Sequence, residues 1–137
     1  MRIKSFRGGF DNNFCYLVWC EDTMQAAIVD PSVEPLEIFD FIEQNNIILS
    51  KGLITHTHYD HICYLSDFLF QYPDIKIYAY AKTRHFFDNN FSGINHNDTI
   101  SIGASMFNIL YTPGHYDDCL CYWNMKDKIL FTGDTVF

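Results

Sequence analysis

The segment THTHYDH, residues 55–61, sets His56, His58, Asp60 and His61 close together directly after an apolar run. Imidazoles and carboxylates supply nitrogen and oxygen donors, and held together they suit a divalent metal that accepts both. Without a metal, crowded histidines repel one another when protonated and lose hydration when buried neutral. A helix cannot use all three imidazoles at once, since His56 and His58 would diverge by about 200° at 3.6 residues per turn. Residues two apart in an extended or looped segment share a side. The short strand KGLIT is therefore expected to end at Thr55, with the four donors fanning out from a strand-to-helix loop.

Two later segments repeat the arrangement. NILYTPGH carries an apolar strand to Thr112, turns through Pro113-Gly114 and presents His115. KILFTGD carries another to Thr132 and presents Asp134 after Gly133, whose missing Cβ permits a sharp turn. Alone, each donor reads as an ordinary loop residue. Together they make three strand ends, each a threonine followed by a nitrogen or oxygen donor, and strand ends on one rim of a sheet can converge. His85 and His96 are isolated and read as surface or capping groups, and Lys82 and Arg84 as a solvated helix face. Cys63 reads as a buried structural thiol, and Cys119 and Cys121, alternating about Leu120, as core.

The elements that must position these donors follow from pattern. FCYLVWC (14–20) and QAAIVD (25–30) read as a hairpin around the polar turn EDTM. Leu36, Ile38, Phe39, Phe41 and Ile42 fit an amphipathic helix ending near Asn45-Asn46. ICYLSDFLFQY reads as a helix halted by Pro73, KIYAYA as the next strand, and residues 83–97 as helix then loop. DTISIG, SMFNILYT, CLCYWNM and KILFTG read as four short strands. Sheet layers with helices on their outer faces are the expected α/β architecture.

Composition sets the bounds. The 137 residues, 48% hydrophobic and 18% aromatic, suffice for one domain with a real core and exclude a disordered chain. A formal net charge of −8, with no run of Lys or Arg, argues against nucleic acid or an anionic membrane as partner. No stretch reaches the roughly 18–20 apolar residues of a membrane span. The basic N-terminus lacks an apolar h-region, so no signal peptide is expected. Five cysteines in no compact framework read as free thiols, and cytoplasm is the expected compartment.

On THTHYDH, TPGH and FTGDTVF, supported by AAIVDP and DNNFCYLV, the chain resembles the metallo-β-lactamase superfamily, in particular its glyoxalase II-like branch. The resemblance implies an αββα sandwich with a metal site at one edge of the two sheets, residues 1–137 forming its N-terminal part. It implies that His56, His58 and His115 ligate one metal, Asp60 and His61 a second, and that Asp134 bridges the two. Asp30 falls where the family places an aspartate behind the ligands; as a turn residue before Pro31 it needs no such role. The family pattern continues past Phe137 with further strands, a last helix and a final histidine. The expectation is thus an N-terminal portion of a longer product, with the C-terminal portion of the sandwich missing and an exposed sheet face open to homo-oligomeric association. The chain departs from many relatives at Cys63-Tyr64, where they carry Gly-Gly, and at Tyr116-Asp117-Asp118, where they carry Thr-x-Gly.

The function implied is hydrolysis of an ester-like carbonyl in a small-molecule substrate, such as the thioester of an S-hydroxyacylglutathione. Two Zn²⁺ ions about 3.5–4 Å apart would supply a metal-bound hydroxide near neutral pH, with Asp60 orienting it as the catalytic residue. Two alternatives stand beside it. His56, His115 and Asp134 alone make a two-histidine, one-carboxylate set suited to one Fe²⁺ and O₂, as in the persulfide dioxygenase branch, where Cys119 also finds a counterpart. Or the chain binds metal and turns nothing over.

Overall fold

Inward and outward residues sort the strands into two sheets. The computed structural model describes residues 1–136; Phe137, the last residue of the FTGDTVF motif, lies outside the described residues. Strands β1 (Arg2–Gly8), β2 (Asn13–Trp19), β3 (Gln25–Val29), β4 (Ile48–Leu53), β5 (Lys76–Tyr80) and β6 (Phe91–Ile94) form a six-stranded sheet in sequence order. The first three pair antiparallel and the rest parallel. Strands β7 (Thr99–Ile102), β8 (Ser105–Tyr111), β9 (Leu120–Asn124) and β10 (Ile129–Phe131) form a four-stranded antiparallel sheet. Helix α1 (Leu36–Gln44) connects β3 to β4, and α2 (Tyr59–Ile62) and α3 (Leu65–Gln71) connect β4 to β5.

Two cores hold three layers together. Ile38 and Ile42 of α1 lie one helical turn apart, and with Leu65 and Phe68 of α3 they pack on Cys15, Leu17, Ala26, Ile28 and Ile77 of the large sheet. On that sheet's other face Val18, Ala27, Val29 and Leu53 meet Ile102, Phe107, Ile109, Leu120 and Tyr122 of the small sheet. A sheet covered on both faces explains why β2 and β3 read as near-continuous apolar runs. The small sheet's outer face exposes Met106, Trp123 and Leu130, and all three α-helices lie on the large sheet. The described residues thus form helix, sheet and sheet, in the α/β sandwich arrangement expected.

Three elements differ from the sequence reading. β1 is absent from the sequence reading because Arg2, Lys4 and Arg7 dilute its pattern; Phe6 is buried, Lys4 on the same face lies over the Phe6 and Phe41 rings, and such charge suits an edge strand. Residues 83–97 hold a 3-10 turn (Ala81–Phe86) and β6 instead of helix and loop. Phe91 and Ile94 are buried, and Asn90 Nδ2 donates to the carbonyls of Pro73 and Ile75, tying β6 beside β5. The single helix expected over 62–72 is broken, because the Tyr64 N–H is taken by the Pro31 carbonyl at 3.0 Å and α3 starts afresh.

Candidate metal centre

Past β4 the chain leaves the sheet and runs through Thr55, His56 and Thr57 to His58, which caps α2. His56 and His58 therefore sit in the loop as expected, whereas Asp60 and His61 stand on the short helix. Two contacts fix where this loop departs. Buried Tyr122 of β9 donates its hydroxyl to the Ile54 carbonyl at 2.7 Å, and the Leu120 N–H donates to the Thr55 carbonyl at 2.8 Å. The small sheet thereby delivers the loop carrying His115 to the same rim. Asp134 arrives after Gly133, whose φ of +50° lies in the left-handed region and whose Cβ, if present, would stand 2.7 Å from Thr55 Cβ. Glycine there is required twice over.

The three loops meet. His58 Nδ1 lies 3.1 Å from His56 Nε2 and 3.0 Å from His115 Nε2. Asp134 stands between this group and His61, with Oδ2 3.4 Å from His115 Nε2 and 4.0 Å from His56 Nε2, and Oδ1 3.4 Å from His61 Nε2. Asp60 Oδ2 lies 3.6 Å from His61 Nε2 and accepts from Asn13 Nδ2 at 2.7 Å. Two donor groups result, His56–His58–His115 and His56–His61–Asp134, each with its atoms within 4.8 Å of one another. Asp60 borders the second.

Behind them, buried Asp30 is a hub. It accepts the Thr55 N–H at 2.8 Å, the Thr55 hydroxyl at 2.6 Å and His61 Nδ1 at 3.0 Å, from a backbone with φ of 49°. Burial disfavours charge on His61, but the hydrogen bond and charge of Asp30, with Asp134 and Asp60, outweigh it and raise the imidazole to about 8. His56 goes the other way: burial, then the neighbouring His61, push it down to about 4. Burial also works against the Asp60 carboxylate, yet the Asn13 amide and nearby His61 hold it below the usual range.

These atoms fit a cation. His58 Nδ1 has one N–H or one lone pair to offer, yet two ring nitrogens stand at hydrogen-bond distance from it. Three imidazole nitrogens on a tetrahedral ion at about 2.0–2.1 Å would stand about 3.3 Å apart, close to the spacing found. His61 Nε2 is buried and makes no hydrogen bond, although carboxylates flank it. With Nδ1 committed to Asp30, Nε2 is the atom left to face a metal, as metal-bound histidines are commonly oriented.

Several contributors had no role assigned from the sequence. Asn13, Thr57, Tyr116 and Asp118 surround the site: the Tyr116 ring lies 4.1 Å from the His58 ring, and buried Asp118 accepts from Thr57. The signals available were the alternation of threonine with histidine in THTH, the DNNFCYLV motif that holds Asn13, and the Tyr116-Asp117-Asp118 departure. Cys63 stays outside the donor groups, its Sγ nearest the carbonyls of Ser32 and Asp60, and Cys119 and Cys121 are buried. His96 Nδ1 accepts the Tyr111 N–H at the end of β8, and His85 lies against Phe86; neither is among the donor groups.

Two layered sheets with donors on three loops at one rim define a class. The chain belongs to the metallo-beta-lactamase superfamily, whose family model matches residues 8–137. Among curated relatives it is 40% identical to the hydroxyacylglutathione hydrolase of Francisella philomiragia, over 100% of this chain and 53% of that protein. The chain spans about half the length of the curated relatives it matches. Among solved structures it resembles the BLEG-1 B3 metallo-beta-lactamase in fold, with TM-score 0.86 and 23% identity over 99% of this chain and 73% of that one. It also resembles ETHE1 from Myxococcus xanthus, with TM-score 0.84 and 25% identity over 100% and 59% of the two chains. Among the described residues no helix is long and apolar enough to cross a membrane.

Proposed function

We propose that this chain carries the metal site of a hydrolase acting on a thioester such as an S-hydroxyacylglutathione. The observation that carries the reading is the meeting of His56, His58 and His115 with His61 and Asp134 from three loops. The likeness to hydroxyacylglutathione hydrolases adds the substrate class. His56, His58 and His115 would hold one Zn²⁺, Asp60 and His61 a second, and Asp134 both. Bound there, divalent metal lowers the pKa of water towards neutrality and acts as a Lewis acid toward a carbonyl oxygen. Asp60, kept ionised by Asn13 and His61, orients the attacking water. Asp30 holds the His61 ring with Nε2 toward the site.

Thiol release from an S-hydroxyacylglutathione by the zinc-loaded chain, with metal content verified, tests this. Turnover that is lost in His58→Ala supports the reading. Stoichiometric metal with no turnover of thioester, lactone or phosphoester overturns it in favour of metal binding without catalysis. A second reading uses His56, His115 and Asp134 alone, whose atoms lie within 3.4–4.0 Å across the carboxylate, for one Fe²⁺ and O₂ chemistry of the persulfide dioxygenase type. About one iron per chain with O₂ uptake favours it over zinc.

A further inference from the structure

In the THTH segment each threonine gives its N–H and its hydroxyl to one buried carboxylate. Asp30 takes the N–H and hydroxyl of Thr55; Asp118 takes the N–H of Thr57 at 3.0 Å and its hydroxyl at 2.6 Å. Thr57 stands between His56 and His58, and Asp118 follows His115 by three residues. One side chain thus ties together the two loops that bring His58 Nδ1 and His115 Nε2 to 3.0 Å. Within the second loop the backbone bonds are internal, among Thr112, Gly114, Tyr116 and Cys119. Beside the Leu120 N–H bond to the Thr55 carbonyl at the strand end, the Asp118 clamp crosses to the histidine segment from within the loop whose Tyr116 covers His58.

The charge needs its own explanation. Thr57 offers two neutral donors, and both go to Oδ2; Oδ1 is buried with no partner. A half-satisfied buried carboxylate costs stability unless something offsets it. A neutral acceptor would serve a purely structural tie. Charge-assisted bonds hold the loop more firmly, and a loop so held keeps His58 Nδ1 and His115 Nε2 at the spacing a shared cation needs.

We propose that Asp118 is a positioning residue of the three-histidine group, holding His58 against His115 through Thr57 and raising the group's affinity for a divalent cation. It rests on the metal-site reading above. The test is Co²⁺ titration followed by visible absorption, which reports ligand geometry, alongside thermal unfolding of the metal-free protein. Asp118→Asn keeps an acceptor for Thr57 but no charge; Co²⁺ affinity falls about tenfold while the metal-free midpoint stays near native. Asp118→Ala loses both, and affinity falls about 10- to 100-fold with a changed spectrum. Thr57→Val, lacking the hydroxyl, falls between. Asp117→Asn, which removes a neighbouring exposed charge, leaves binding unchanged. Native affinity and spectrum in Asp118→Asn and Thr57→Val would overturn the proposal, even if Asp118→Ala does not fold. Equal weakening by Asp117→Asn would reduce it to general charge. A native chain that takes up no Co²⁺ removes the metal reading itself, a result distinct from native-like variants.

Discussion

Asparagine at position 30 separates shape from chemistry beneath the site. Asp30 Oδ1 accepts the Thr55 N–H, while Oδ2 accepts the Thr55 hydroxyl and faces His61 Nδ1. Asparagine tolerates the left-handed backbone found there, with φ of 49°, but it has one acceptor oxygen and one NH₂. With its oxygen toward the Thr55 N–H, the NH₂ meets His61 Nδ1 and makes that nitrogen the acceptor. The ring proton of a neutral His61 then sits on Nε2, the atom facing Asp60 and Asp134. With the amide reversed, NH₂ confronts the Thr55 N–H, donor against donor. In the first orientation the Thr55 hydroxyl must turn away, toward His56 Nδ1 3.1 Å off, and the charged acceptor is lost; in the second two donors confront each other, at about 1–3 kcal/mol either way. Asp30→Asn is expected to lower the unfolding free energy of the metal-free protein by that amount, measured in urea. Zn²⁺ affinity, measured by competition with a chromophoric chelator, is expected to fall about 10- to 100-fold. Native values in both assays would refute the assigned role of Asp30.

Two other perturbations follow from the same geometry. Gly133→Ala places a Cβ against Thr55 at a positive φ. Left-handed strain of about 1–2 kcal/mol and overpacking of about 1–3 kcal/mol together predict a loss of about 2–5 kcal/mol, with Asp134 displaced and metal content reduced. A loss under about 1 kcal/mol on denaturation would contradict that packing. For the metal-free protein, His61, raised to about 8, contributes stability that is present below its unfolded pKa and lost as pH rises through 8. His56, depressed to about 4, takes up protons more readily when unfolded, so stability is lost as pH falls from about 6.5 toward 4. Calorimetry in chelator is expected to show a midpoint highest near pH 6.5, with the alkaline limb flattened in His61→Asn; a midpoint flat from neutrality to pH 9 would contradict it.

The donors were legible because each follows a strand-like apolar run, and runs of period two or continuous apolar character announce strand ends. His56 and His58 could be placed in a loop for the same reason, since no helix presents both. What surrounds them was not legible. Asn13 reaches Asp60 from 47 residues away, and Thr57 reaches Asp118 from 61 away, so neither pair leaves a local pattern. Asp118 stands in the sequence only as part of the Tyr116-Asp117-Asp118 departure from the family pattern, with nothing to show that it is buried while Asp117 is exposed. β1 and β6 escaped because edge strands carry charge and breakers that blur alternation. Gly133 was read correctly as a turn glycine, but its contact with Thr55 belongs to tertiary structure alone.

The most direct measurement is diffraction from crystals of the zinc-loaded protein on either side of the zinc absorption edge. An anomalous peak about 2.0–2.1 Å from His56 Nε2, His58 Nδ1 and His115 Nε2 is the predicted result. A fully loaded crystal whose only peaks lie away from these three nitrogens would contradict the metal centre proposed for this chain.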